Sequence, residues 1–183
     1  MQPEKVISGK NSIELWDVIN KDFASIERLN DYYVLLEQGS IKTTLRIEAG
    51  LGGNEEGGYE LTTFSTPLYR VSDFRFSIHP QDIFNKIGKI FGLEDIVIGY
   101  PAFDDAVIVK ANDEQLVKKI FASESVRSVL QPLSGFKFGI VEQDKKEGEG
   151  DKLELIIEDA ITDAGLLHRL YDAFITVLTT LEK

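Results

Sequence analysis

Asp104 and Asp105 are the most suggestive pair of acids in the chain, and they lie in the run Ile96 to Asn112, IVIGYPAFDDAVIVKAN. Adjacent carboxylates can hold Mg²⁺ or Ca²⁺ when a further carboxylate joins them, and a metal held that way supports hydrolysis. Neighbouring side chains of an extended segment point to opposite faces, so these two do not readily chelate one ion. Placed after Gly99 and Pro101, Asp104 has another use, which is to accept backbone N–H groups and order the turn. Tyr100, Asp104 and Asp105 are therefore the candidate binding residues, with no catalytic residue and no metal ligand assigned.

Other chemistry is sparse. Cysteine is absent, which removes disulfides, thiolate nucleophiles and cysteine metal sites. His79 and His168 are the two histidines and do not form an HExxH pair. His79 precedes Pro80 and is expected at a cap or at the surface, and His168 lies one position off an apolar helical stripe. The glycine-rich run Gly50 to Gly58 lacks the Lys-Ser/Thr of a phosphate loop and carries Glu55 and Glu56, so it reads as a hairpin tip. No Gly-x-Ser-x-Gly occurs. Tyr32, Tyr33, Tyr69 and Tyr100 are aromatics available to line a groove.

Charge narrows the partners. The net charge is −11, and the close basic pairs Lys118-Lys119 and Lys145-Lys146 stand among acids. Phosphate recognition needs clustered Lys and Arg, so nucleic acid and anionic membrane are not expected partners. Residues 142–163 hold nine acids against three lysines, which suits a solvated hairpin or a docking surface for a basic partner. No stretch reaches the roughly 18 apolar residues of a membrane helix. The first residues, MQPEKVISGKNSIELWD, contain no apolar h-region of a signal peptide.

The elements that must position these residues follow from periodicity. Trp16, Ile19, Phe23 and Ile26 mark an amphipathic helix over 12–30, with Ser12 as its cap. Residues 32–37 and 41–49 read as strands, the second with Thr43, Leu45 and Ile47 on one face and Lys42, Thr44, Arg46 and Glu48 on the other. Further strands are expected at 59–64, 74–78, 96–98, 105–110, 136–140 and 153–157. Helices are expected at 80–92 with Pro80 leading, at 113–122 with an Asn112/Gln115 capping box, at 124–130, and at 162–182.

The segment Ile98-Gly99-Tyr100-Pro101-Ala102-Phe103-Asp104, followed by Val109, Asp113 and the later Val126-Arg127, Leu130 and Leu133, resembles the DUF3137-like group of bacterial proteins of unknown function. The pattern there is roughly Ile-Gly-Asp-x-x-Phe-Asp-x-x-Phe-x-Val-x-x-x-Asp. The likeness covers residues 86–133 and departs at Tyr100, where Asp is usual, and at Val107, where an aromatic is usual. It implies a soluble domain often joined to membrane-anchored architectures and carries over no catalytic residue and no cofactor.

The expected fold is α+β, an antiparallel sheet packed by about three helices, with residues 1–30 as an N-terminal helical appendage and 31–183 as one domain. The expected function is non-enzymatic: a binding or scaffold domain engaging a protein partner or a second copy. The setting is the cytoplasm or the soluble part of an envelope-associated protein. The alternatives are a carboxylate-based metal-dependent hydrolase around Asp104, and a small-ligand or lipid carrier with its pocket between the sheet and the C-terminal helix, lined by Leu170 and Phe174.

Overall fold

Side-chain alternation builds the sheet, and the topology sorts its two faces. In a computed structural model, which describes residues 5–25, 31–50, 60–69, 73–81, 93–142 and 150–183, the strands are β1 (Lys5–Gly9), β2 (Asp31–Gln38), β3 (Ile41–Ala49), β4 (Glu60–Pro67), β5 (Phe76–Pro80), β6 (Glu94–Asp95), β7 (Val107–Ala111), β8 (Phe136–Val141) and β9 (Lys152–Ile157). They form one nine-stranded sheet in the order β1-β2-β3-β4-β9-β8-β5-β7-β6. The helices are α1 (Ser12–Ser25), α2 (Pro101–Asp104), α3 (Glu114–Ile120), α4 (Glu124–Leu130) and α5 (Ala164–Leu181).

The sheet corrects the expected fold class. It is mixed rather than antiparallel, because β1 runs parallel to β2 in the register Val6↔Leu35 and Ile7↔Leu36. It is also larger, and the described residues carry five helices rather than about three. Only Ile7 of β1 is buried, so five residues with one inward side chain give no alternating signal. The α1 crossover that parallel pairing requires then joins β1 to the main sheet. The four-residue helix α2 is one turn, too short to show a period.

One row of side chains shows what the covered face contains. Val34, Leu45, Phe64, Leu155, Phe138, Ile78 and Val109 are successive cross-strand partners from β2 to β7, and all are buried. Helix α5 lies on this row, with its stripe Leu167, Leu170, Tyr171, Phe174, Val177 and Leu178 buried. The Phe174 ring sits 5.7 Å from Phe138 and 6.0 Å from Phe64. Helix α1 packs beside α5 through Trp16, which stacks on His168 at 5.2 Å and meets Tyr171 edge-on at 6.1 Å. Helices α3 and α4 pack along α5 as well.

Buried polar groups stitch distant parts of the chain together. The Thr62 hydroxyl donates to the Asp159 carbonyl at 2.7 Å and accepts from the Ile161 amide at 2.9 Å. Thr43 and Thr66 share a 2.8 Å hydrogen bond in the core.

Several local expectations shift. Asn11, not Ser12, caps α1, accepting from the Glu14 amide at 3.0 Å. Asp113, not Asn112, caps α3, accepting from the Leu116 amide at 2.9 Å. Asn112 instead bridges to the strand edge, accepting from the Arg75 amide and donating to the Asp73 carbonyl. Pro80, expected at the first position of a helix over 80–92, belongs to a strand. It ends β5 opposite Val107. The strand expected at 96–98 is β6 at Glu94–Asp95, and Ile96 still donates to the Val109 carbonyl at 2.8 Å. Residues 26–30, most of the glycine-rich run, all of the helix expected over 80–92 beyond Gln81, and the acidic hairpin tip 143–149 lie outside the described residues.

Candidate functional site

Asp104 closes a turn. Gly99 takes φ 103°, a conformation glycine reaches without strain, and Pro101 opens α2 directly after Tyr100. The chain folds back so that both Asp104 oxygens accept backbone amides, Ile98 N–H on Oδ1 and Gly99 N–H on Oδ2, each at 2.8 Å. Phe103 is buried beneath the turn against Phe121, with ring centroids 5.6 Å apart. Asp105 is exposed, and its amide closes α2 by donating to the Pro101 carbonyl at 2.8 Å.

The three candidate binding residues therefore have separate surroundings. Tyr100 is 39% exposed and lies under the Arg127 guanidinium, whose carbon is 3.4 Å from the ring centroid. Arg127 is held there by donating to the Phe121 and Ala122 carbonyls at 2.6 and 2.7 Å. Among the described residues no group of three or more His, Cys, Asp or Glu side chains is placed to hold a metal ion.

The histidines lie elsewhere. His79 is buried rather than at the surface, with Nδ1 2.9 Å from the Pro80 carbonyl. His168 stacks on Trp16, and its Nε2 is 3.5 Å from Asp172 Oδ2 without forming a hydrogen bond. Burial pushes up the ionisation of the Tyr171 and Tyr32 phenols, helped by Asp172 for the first and Asp22 for the second. Both stay neutral.

Two residues expected to line a pocket between the sheet and α5 are core residues. Leu170 and Phe174 are fully buried, and the Phe174 ring packs against Phe64 and Phe138. Two clefts lie on the opposite face of the sheet, the open face, which no helix among the described residues covers. A trough of about 590 Å³ runs over β2, β3, β4 and β9, with Tyr33, Arg46, Thr63 and Ile156 in its lining. These four are successive cross-strand neighbours. A second cleft of about 490 Å³ adjoins it over β9, β8 and β5, and the two share Glu154 and Ile156.

Pairing within the face neutralises much of its charge. Arg46 binds Glu48 at 2.7 Å and lies 5.9 Å from the Tyr33 ring centroid. Lys152 pairs with Glu154. Arg75 binds Glu142 at 2.9 Å and Asp151 at 2.7 Å. The outward alternation of β3 foretold part of this face, and Tyr33 stood among the available aromatics. Ser77, Lys137, Gly139 and Glu154 had no sequence signal, because strand register alone brings them together.

No family model matches the chain, and no curated protein matches it. Among solved structures the fold is similar to that of the mycobacterial trehalose monomycolate transport factor A, TtfA, with a TM-score of 0.50 and 7% sequence identity over 90% of this chain and 82% of that one. At this identity the likeness is one of fold. Among the described residues no helix is long and apolar enough to cross a membrane.

Proposed function

We propose that this chain is a non-enzymatic binding domain whose open sheet face receives a protein partner. The observation that supports the reading is the trough row Tyr33–Arg46–Thr63–Ile156. It is half-buried, spans four strands and mixes an aromatic, a guanidinium, a hydroxyl and an aliphatic side chain. Tyrosine and arginine are the residue types enriched where protein interfaces concentrate their binding energy. The ion pairs hold the charged side chains in place and leave no cluster of one sign, which a phosphate backbone would need.

Asp104 supports the same reading by what it is already doing. A carboxylate with both oxygens on backbone amides is a turn support, and metal-dependent hydrolysis would first have to break that tie. Kinship with the DUF3137-like group belongs to this proposal and rests on the turn residues Gly99, Phe103 and Asp104. So does the setting, the cytoplasm or the soluble part of an envelope-associated protein.

The test is affinity capture from native lysate by the wild-type chain and by a Tyr33→Ala/Arg46→Glu double variant. A partner retained by the first and lost by the second, at equal melting temperature, supports the reading. A partner that survives the double variant and is lost on Asp104→Ala places the binding surface elsewhere.

A further inference from the structure

The second cleft has a feature the trough lacks. Ser77 lies on β5 between the core residues Phe76 and Ile78, so its side chain faces the open side and lines this cleft. Only 3% of Ser77 is exposed, and its hydroxyl has no hydrogen-bond partner in the protein. A buried unpaired hydroxyl is costly and uncommon in native proteins.

Gly139 lies directly beside it. Gly139 is the cross-strand partner of both Ser77 and Glu154. A Cβ at this position would lie 2.4 Å from the Phe76 carbonyl oxygen, so the close crossing of β5 and β8 demands glycine here. The missing side chain lets β5 and β8 approach closely, and the cleft runs past this crossing. Val141, Ile156 and Leu93 supply apolar wall, and Lys137 stands at one end.

Charge selects the ligand. The acids that line the cleft are answered within the protein, Glu142 by Arg75 and Glu154 by Lys152. Among the described residues Lys137 has no ion-pair partner. One unmatched cation and one unpaired hydroxyl donor suit a single negative charge. Glu142 and Glu154 line the same cleft and disfavour a second negative charge on the ligand.

We infer that the cleft beside Gly139 is a binding site for a small organic carboxylate with a short aliphatic body, its carboxylate held by Lys137 and the Ser77 hydroxyl and its body lying on Val141 and Ile156. The volume, about 490 Å³, falls within the roughly 300–1,000 Å³ of small-molecule sites, as does the pairing of an apolar wall with a few polar groups. The site does not depend on the protein partner proposed above.

Sodium octanoate is the probe, titrated into ¹⁵N-labelled protein beside octylamine and inorganic phosphate. Saturable shifts at the Ser77, Gly139 and Glu154 amides with octanoate alone are expected. Lys137→Met, at an exposed position, should weaken octanoate binding about tenfold or more. Ser77→Ala should weaken it while leaving the melting temperature equal or higher, because it removes an unpaired buried hydroxyl. Octylamine binding as well as octanoate would overturn the inference, as would phosphate producing the same shifts. So would Ser77→Ala lowering the melting temperature with no octanoate response, since the hydroxyl would then be structural.

Discussion

The two faces of the sheet are made by the same strands and obey different rules. On the covered face, partner after partner is apolar, from Val34 across to Val109, and helix α5 fits over them. On the open face the next row reads Leu35, Thr44, Ser65, Glu154, Gly139 and Ser77. Small, hydroxylated and charged residues occupy positions equivalent in register to Phe64 and Phe138. The first face uses volume to hold the fold together. The second gives up packing for shape and polarity, which is the usual cost of a surface that binds something.

Substitutions should separate the faces by size of effect. Phe174→Ala on the covered side should cost about 3–5 kcal/mol in denaturant unfolding, since it empties the contact between Phe64 and Phe138. A loss below about 1 kcal/mol would mean that the covered face does not dominate stability. Gly139→Ala is the open-face exception. Its new methyl meets a backbone carbonyl, and a cost of about 3 kcal/mol is expected. A well-folded, equally stable variant would show that the β5–β8 crossing is looser than described.

Asp104→Ala belongs to neither face and should cost about 1–2 kcal/mol, because two amides lose their acceptor. Loss of function at unchanged melting temperature would instead make Asp104 a binding residue. Arg46→Ala on the open face should stay within about 1 kcal/mol, because its ion pair and ring contact are partly solvated. Measuring it beside Phe174→Ala gives the sharpest form of the contrast.

The smallest effect is a pH dependence at Glu37. Its carboxyl is held below the usual range by hydrogen bonds from Lys42 and then Ser8, with the Lys42 charge adding to them. A depressed folded-state pKa stabilises above the unfolded value, and that stability is lost as pH falls through the folded value. Glu37→Gln should therefore flatten the acid-side slope of melting temperature between about pH 3 and 5. An unchanged slope would assign the acid sensitivity to other carboxylates.

The sequence showed the covered face more plainly than the open one. Strand β3 alternates so regularly that its inward and outward residues could be named, and the helix expected over 162–182 is α5, at Ala164–Leu181. Burial leaves a periodic trace in the chain. The Asp104 tie was legible because Gly99 and Pro101 demand a turn and a carboxylate nearby can close it. What stayed hidden depends on register. Ser77 and Gly139 are ordinary residues until β5 crosses β8, and nothing local announces that crossing. Parallel β1 was invisible because an edge strand with one inward side chain has no alternation to read. Asn112 misled because Asn and Asp both cap helices, and the adjacent Asp113 took the role.

The strand order also bears on how the chain is made. Strands β1 to β4 are contiguous in sequence and side by side in the sheet, but the other neighbour of β4 is β9, which begins at Lys152. A ribosome releases the chain from its N-terminus, so β4 emerges with one edge unpaired and waits until the chain from Pro67 to Lys152 has been made. The waiting edge carries Thr62, Phe64 and Thr66, all buried in the finished protein. An exposed edge of that kind recruits other strands. A chaperone that shields a bare strand would guard that edge until β9 arrives.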